Sequence, residues 1–218
     1  MGFTQENIIS TINKQGVIAI IRGVDSENLN PLLDALYNGG LRVAELTFGD
    51  NDSLTCTLLK QAISYMGDKM IIGAGTVTDI TRAKLARECG AGFAVSPNTN
   101  VEVFSYCKQK GMVVVGGAFT PTEVELAHRN GAHFVKIFPV DMFGEKYVKA
   151  LKGPFKNIPL IVFSGVTTNN IASYIKAGAV GAGVGSELIN LEQIKKGNFD
   201  YVTKKAEELL EKVSQAKN

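Results

Sequence analysis

The sequence predicts a single-domain (β/α)8 barrel, and three observations support this fold class. Short, uniformly apolar runs rich in β-branched residues recur along the chain, and each is followed by a longer amphipathic segment. Apolar runs of this kind suit parallel strands buried on both faces, and eight such pairs fit within the 218 residues. Glycines fall just past several amphipathic segments, where helices commonly end.

The strands are predicted from the apolar runs, of which VIAII, MVVV and PLIVF are the clearest. In chain order they are Val17–Ile21, Arg42–Phe48, Lys69–Ile72, Gly92–Ser96, Met112–Val115, His133–Phe138, Pro159–Phe163 and Val180–Val184. The doubly wound sheet is the alternative fold, although it usually needs only about five or six strands.

The helices are predicted from amphipathic spacing and from their end signals, such as Thr120 as the N-cap before Pro121. Those between strands are Ser26–Tyr37, Asp52–Tyr65, Thr78–Cys89, Val101–Gln109, Pro121–Asn130, Glu145–Leu151 and Asn170–Ala177. Helices at Thr4–Lys14 and Tyr201–Ala216 are expected to flank the barrel. No linker or break in composition divides the chain, so residues 1–218 are expected to form one domain.

Composition excludes several function classes. The 23 Lys and Arg residues nearly balance the 21 Asp and Glu residues, which argues against nucleic-acid binding through bulk charge. No apolar run approaches the roughly 20 residues that span a bilayer. The first 15 residues are polar and do not resemble a signal sequence, so the protein is expected in the cytoplasm.

Cysteine and histidine usage argues against a metal or disulfide protein. Cys56, Cys89 and Cys107 share no CxxC spacing, and each is interpreted as a small buried apolar residue. His128 is expected to face solvent from a helix. His133 is predicted at the N-terminal end of the sixth strand, the barrel face that contributes to stability rather than catalysis, so no catalytic role is assigned to it. No metal and no cofactor are therefore expected.

In a barrel of this class the chemistry lies at the C-terminal ends of the strands. Residues there with reactive or pocket-forming side chains are Arg22, Glu45, Thr47, Thr76, Ser96, Pro97, Lys136, Phe138, Phe163, Ser164 and Ser186. Lys136 is prominent because it interrupts an apolar strand, and burial would lower its pKa and make it a nucleophile. A structural ion pair, or a side chain that extends to the strand end, is the alternative interpretation.

Glu45 could share the barrel interior with Lys136. Strand alternation places Val43, Glu45 and Thr47 on one face. A carboxylate beside an amine can relay protons during imine formation, although a plain structural ion pair explains the same pattern.

Glycine-rich segments after the last two strands could bind an anion. They are Ser164–Thr168 and Gly183–Ser186, and barrel enzymes often bind phosphate there on backbone N–H groups. Arg22, at the end of the first strand, could add a positive charge. The alternatives are glycines that only permit tight turns and an arginine that forms a surface ion pair.

Taken together, these residues resemble the KDPG/KHG aldolases, which act on 2-keto-3-deoxy-6-phosphogluconate and 4-hydroxy-2-oxoglutarate. The motifs that carry the resemblance are, in order, VAELT (43–47), GAGTV (73–77), SP (96–97), TPTE (120–123), VKIFP (135–139) and GVGS (183–186). They span the chain from about Val17 to Leu188.

The resemblance implies a class I aldolase on a (β/α)8 barrel, a homotrimer that needs no metal and forms pyruvate and an aldehyde. It assigns Lys136 as the Schiff-base lysine and Glu45 as the general acid and base. The implied substrate contacts are Thr76 and Pro97 near the pyruvate carboxylate, Phe138 beside the imine, and Arg22, Gly165 and Ser186 at the phosphate end. Ser164, beside Gly165, is also expected to contact the substrate.

The chain departs from the family pattern at the substrate end. Gly49 stands where many members have Arg, Phe163 and Ser164 stand where many have Thr and Gly, and Gly116 replaces a frequent Pro. The resemblance as a whole makes cleavage of a phosphorylated 2-keto-3-deoxy sugar acid the leading hypothesis. Gly49, Phe163 and Ser164 motivate the alternatives within the same family, which are the galactonate epimer, 4-hydroxy-2-oxoglutarate and an unphosphorylated acid.

Two other classes of protein remain open at this point. A phosphate-binding barrel isomerase or epimerase would share the glycine-rich loops after the last two strands. A binding or regulatory protein without catalysis would keep Lys136 only for packing.

Overall fold

The computed structural model describes residues 2–218 and confirms the predicted fold class: eight parallel strands form one closed barrel in sequence order. The strands are β1 Val17–Ile21, β2 Val43–Thr47, β3 Ile71–Gly75, β4 Phe93–Val95, β5 Val113–Ala118, β6 Phe134–Ile137, β7 Leu160–Phe163 and β8 Gly181–Val184. Strand β8 pairs with β1 through Ile18 and Gly183, which closes the barrel and excludes the open doubly wound sheet.

Helices surround the barrel and alternate with its strands. They are α1 Gln5–Gln15, α2 Ser26–Asn38, α3 Asp52–Met66, α4 Ile80–Glu88, α5 Val101–Gln109, α6 Pro121–Arg129, α7 Gly144–Lys152, α8 Ile171–Lys176, α9 Leu191–Lys195 and α10 Phe199–Lys217. A 3-10 turn, Val140–Met142, precedes α7. None of the helices in residues 2–218 is long and apolar enough to pass through a membrane.

The largest differences from the predicted boundaries occur where glycines continue a strand. Strand β3 extends through Gly75 rather than ending at Ile72, and β5 extends through Gly116 and Gly117 rather than ending at Val115. At Gly116 a Cβ would lie 2.5 Å from the Phe104 ring, so the missing side chain permits close packing instead of ending the strand.

Helix boundaries follow the capping residues. The predicted start of α4 at Thr78 is too early, because the Asp79 side chain accepts hydrogen bonds from the backbone N–H groups of Thr81 and Arg82. Helix α6 begins at Pro121 as predicted, with Thr120 and Glu123 forming a reciprocal capping box.

Helix α1 closes the N-terminal end of the barrel. Its buried residues Ile8 and Ile12 belong to the same apolar cluster as Ile18, Val43 and other inward-facing strand residues. A second, larger cluster fills the layer between the strands and the outer helices. The barrel is therefore packed at its N-terminal end.

Glycine at position 117 lets the β4–α5 loop lie directly on β5. A Cβ added there would lie 2.2 Å from the carbonyl carbon of Pro97, which is backbone and cannot rotate away. We expect Gly117→Ala to lower the free energy of unfolding by about 1–3 kcal/mol through overpacking. Urea denaturation would measure it, with Gly49→Ala as the control, since a Cβ at Gly49 meets nothing within 4 Å. Equal stability of the two variants would contradict this packing argument.

Candidate active site

A cavity of about 810 Å³ opens at the C-terminal ends of the strands. It is lined by residues of β1, β2, β6, β7 and β8 and of the loops that follow β1, β3, β6, β7 and β8. Its lining includes Ile20, Arg22, Glu45, Thr76, Lys136, Phe138, Phe163, Ser164, Gly165, Ser186, Glu187 and Asn190.

Lys136 reaches this cavity from the middle of β6 and is only 7% exposed. Its Nζ lies 4.3 Å from the centre of the Phe163 ring and 4.8 Å from the centre of the Phe138 ring. Burial lowers the pKa of Lys136; Glu45 opposes this shift and Arg22 adds to it. The lysine therefore carries an amine that loses its proton more readily than an exposed one.

Glu45 enters the same cavity from β2 and is 3% exposed. Burial raises the pKa of Glu45 to about 7, against the opposing charges of Lys136 and Arg22. Its carboxylate occupies the space beside Gly75, where a Cβ would lie 2.1 Å from Oε2. Within residues 2–218, neither Glu45 Oε2 nor the buried Thr47 Oγ1 has a hydrogen-bond partner.

The opposite pKa shifts make the two groups suited to proton transfer. Burial favours the neutral form of both groups, because it lowers the pKa of Lys136 and raises that of Glu45 to about 7. Titratable groups shifted in this way are characteristic of acid–base sites. The arrangement can supply an amine nucleophile together with a carboxyl group that gives and takes protons.

The other end of the cavity contains the β7–α8 loop and Arg22. Ser164 has a φ of 87° and Gly165 a φ of 63°, and the serine conformation is one that costs about 1–3 kcal/mol in a non-glycine residue. The loop is held by Asn170, whose side chain accepts from the Thr167 N–H at 2.8 Å and donates to the Gly165 carbonyl at 2.8 Å.

Arg22 is exposed at the rim of the same cavity. Among residues 2–218 it forms no ion pair within 4.0 Å, which leaves its guanidinium available to an anion.

The structure brings together most of the predicted site residues. Those that line the cavity are Lys136, Glu45, Arg22, Thr76, Phe138, Ser164, Gly165 and Ser186. Pro97 is not among the lining residues, and its carbonyl carbon packs against Gly117 instead. Ser96, another residue at a strand end, is buried and donates its hydroxyl proton to the Asn98 carbonyl at 2.8 Å.

The histidines have the structural positions expected of them. His128 is exposed on α6, and Nδ1 of His133 accepts the Val114 N–H at 3.0 Å. Cys89 and Cys107 are buried, and burial raises the pKa of each thiol. Cys56 is half-buried rather than buried. Within residues 2–218, no three His, Cys, Asp or Glu side chains gather as metal ligands.

Sequence reasoning identified Ser186 but missed residues 187–192, which also supply part of the cavity wall. Glu187, Asn190 and Glu192 line the cavity, and α9 begins directly after Asn190. Asn190 was the available signal, because its side chain caps α9 by accepting from the N–H groups of Glu192 and Gln193. Glu187 is held by Lys205 of α10 at 3.3 Å, so its carboxylate is already paired.

Comparisons with known proteins identify relatives of this chain. A family model for the KDPG and KHG aldolases matches residues 8–205. The chain is 34% identical over 181 residues to the 2-dehydro-3-deoxy-6-phosphogalactonate aldolase of Escherichia coli K12, covering 83% of this chain and 87% of that protein. It is 31% identical over 205 residues to a 2-dehydro-3-deoxy-phosphogluconate aldolase of Treponema pallidum, covering 94% and 96%.

A solved structure shares both the fold and some sequence similarity. The KDPG aldolase of Legionella pneumophila, with pyruvate captured as a covalent carbinolamine, superposes with a TM-score of 0.83 at 25% identity, covering 92% of this chain and 97% of that one.

Fold and cavity thus define a barrel enzyme with a buried amine and carboxyl pair. The chain belongs to the KDPG and KHG aldolase family. As members of this family are carbon–carbon lyases, the isomerase or epimerase alternative and the non-catalytic alternative are both set aside.

The raised pKa of Glu45 has a consequence for stability. The native state keeps this proton up to about pH 7, whereas the unfolded chain releases it near 4.5, so the free energy of unfolding falls as pH rises between these values. We expect Glu45→Gln to gain about 2 kcal/mol relative to the wild type between pH 5 and 7.5. Urea denaturation at several pH values measures the difference, and a constant difference would contradict the raised pKa.

Proposed function

We propose that the protein is a class I aldolase that cleaves a 2-keto-3-deoxy sugar acid to pyruvate and an aldehyde through an imine on Lys136. The leading substrate is 2-keto-3-deoxy-6-phosphogluconate, which yields glyceraldehyde 3-phosphate. The observation that carries this proposal is the buried Lys136 amine, which shares one cavity with the buried Glu45 carboxyl group. The named relatives act on substrates of this kind.

The reaction begins when the neutral Lys136 amine attacks the C2 ketone. Burial favours this step because it lowers the pKa of the amine. Glu45, protonated up to about pH 7, gives a proton to the departing hydroxyl group as the carbinolamine loses water. The product is an iminium ion that can accept an electron pair.

Cleavage follows when Glu45, now a carboxylate, takes the proton of the C4 hydroxyl group. The C3–C4 bond breaks, its electron pair moves into the iminium to give an enamine, and the aldehyde leaves. Protonation of the enamine carbon and hydrolysis of the resulting imine release pyruvate and restore Lys136. One carboxyl group thus serves in turn as acid and base.

The surrounding residues favour the imine. The ring centres of Phe138 and Phe163 lie 4.8 and 4.3 Å from the Lys136 Nζ, and the two rings shield this atom from water. We assign Thr76, which lines the same cavity, to the carboxylate of the keto acid. Pro97 packs on Gly117, the β5 residue that pairs with Lys136, and so supports the lysine strand from outside the cavity.

The substrate chain would extend from Lys136 toward the β7–α8 and β8–α9 loops. There Arg22, Ser164, Gly165 and Ser186 offer a guanidinium, hydroxyl groups and backbone N–H groups to a phosphate. The cavity volume of about 810 Å³ is large enough for a phosphorylated six-carbon acid.

A second candidate substrate is the galactonate epimer. The Phe163 ring fills the place beside Lys136 and offers no hydrogen bond to a hydroxyl group of the substrate. An apolar surface there favours the C4 epimer whose hydroxyl group points away from β7. The relative from Escherichia coli carries the name of an enzyme for the galactonate compound.

We also propose a cytoplasmic homotrimer, as the family resemblance implies. Met142 and Phe143 are 69% and 56% exposed, and contact with another copy of the chain would remove their apolar surface from water.

Borohydride reduction in the presence of pyruvate tests the imine. We expect one reduced pyruvate adduct, located on Lys136 by peptide mass spectrometry, and none in Lys136→Met. Lys152→Met is the matched control, because burial also lowers the pKa of Lys152 but the residue lies outside the cavity. A folded wild-type protein without any adduct would refute the proposed mechanism.

Arg22→Gln tests the phosphate end. A lost charged hydrogen bond should raise KM for the phosphorylated substrate by about 10-fold or more, with little change for the unphosphorylated acid. Steady-state kinetics on both substrates measure this. Equal effects on the two substrates would show that Arg22 does not contact the phosphate.

A further inference from the structure

Arg82 lies outside the cavity but joins two loops that shape it. From α4, its Nη1 donates to the Thr76 carbonyl at 3.3 Å and its Nη2 to the Gly49 carbonyl at 2.7 Å. Asp52 holds the same guanidinium, with Nε to Oδ2 at 3.2 Å and Nη2 to Oδ1 at 3.0 Å. One side chain thus connects the β2–α3 loop with the β3–α4 loop.

The environment of Arg82 makes these contacts well defined. The side chain is 20% exposed, and its guanidinium lies 5.6 Å from the centre of the Phe48 ring. The carboxylate of Asp52 comes from the first turn of α3 and contacts the guanidinium through both oxygens. A paired arginine with several partners is fixed in direction, since its donors form a rigid planar fork.

Thr76 needs such support because its backbone is in an unfavourable conformation. Its φ is 57°, in the left-handed region that β-branched residues rarely adopt. The preceding residue, Gly75, lies against the Glu45 carboxylate, and the following residue, Val77, donates its N–H to the Val95 carbonyl at 3.0 Å. The Arg82 contact fixes the carbonyl of Thr76 itself.

We propose that Arg82 is a positioning residue that holds Thr76 in the conformation needed to bind the carboxylate of the keto acid. This inference rests on the proposed function, which assigns Thr76 to that carboxylate. Without the guanidinium, the Thr76 carbonyl and the Gly49 carbonyl lose a shared donor, and Thr76 can relax toward ordinary φ values.

The expected kinetic signature is a weaker interaction with the keto acid at nearly unchanged turnover. We expect the contact between Thr76 and the substrate carboxylate to be the same before and during bond cleavage. Loss of this contact therefore raises KM more than it lowers kcat. In Arg82→Met, we expect the pyruvate concentration for half-maximal borohydride trapping, and KM for the sugar acid, to rise about 3- to 10-fold.

Two further variants should give smaller rises in the pyruvate concentration for half-maximal trapping. Arg82→Lys keeps the charge but not the fork, so it should give an intermediate shift. Asp52→Asn keeps the arginine but weakens its anchor, and should shift the pyruvate concentration in the same direction by less. These variants also keep the test informative if Arg82→Met does not fold.

Arg42→Met is the matched control. Arg42 also donates to two backbone carbonyls, those of Tyr37 and Leu41, both at 2.8 Å, and lies 3.9 Å from the Tyr37 ring centre. It precedes β2 at the closed end of the barrel, so its loss should lower Tm without changing the pyruvate dependence.

The outcomes separate this inference from the function on which it rests. If the wild type forms the adduct and Arg82→Met shows the same pyruvate dependence as Arg42→Met, the role of Arg82 is overturned and the aldolase function stands. A kcat loss with KM unchanged would also overturn it. Absence of any adduct in the wild type would refute both.

Discussion

The structure depends on the desolvation of one amine and one carboxyl group inside a closed barrel. Lys136 and Glu45 are both almost fully buried, and burial is the largest cause of the pKa shift of each. In water neither group would be reactive at neutral pH, because the amine would be protonated and the carboxyl group ionised. The barrel therefore spends part of its folding free energy on keeping two polar groups away from solvent.

Glycines create the space for this pair and for the rings around it. A Cβ at Gly75 would meet the Glu45 carboxylate at 2.1 Å, and one at Gly183 would meet the Phe163 ring at 2.1 Å. Likewise, a Cβ at Gly73 would lie 2.5 Å from the Phe93 ring. These strand residues are small because a larger side chain from a neighbouring strand occupies their place. The barrel interior is thus filled by large side chains from some strands that lie over glycines of the neighbouring strands.

The sequence allowed prediction of what depends on local pattern. The apolar runs placed β1 and the other strands, and the interruption of one run by Lys136 indicated a buried amine on the correct strand. What depends on contacts between distant segments was out of reach. The predicted strand stopped at Val115, yet β5 continues through Gly116 and Gly117, where Phe104 and the Pro97 backbone occupy the space of the missing side chains.

The functional site shows the same division between local and long-range information. Lys136, Glu45 and Arg22 could be found because Lys136 and Glu45 lie on strands and Arg22 directly follows one. The position of the α9 segment in the cavity wall and the contacts of Arg82 with the loops after β2 and β3 depend on how distant segments pack, so they were not predicted. Asn190 signals the start of α9, but not that this helix borders the cavity.

Helix α1 bears on how the proposed reaction would proceed. Ile8 and Ile12 pack with inward-facing strand residues at the N-terminal end of the barrel, whereas the chamber around Lys136 opens at the C-terminal ends of the strands. Pyruvate bound covalently to Lys136 would sit at the bottom of this chamber, with the aldehyde nearer the opening. Under the proposed mechanism the outer fragment would therefore leave before water reaches the inner one. In the synthetic direction the same geometry would favour loading of the keto acid before the aldehyde.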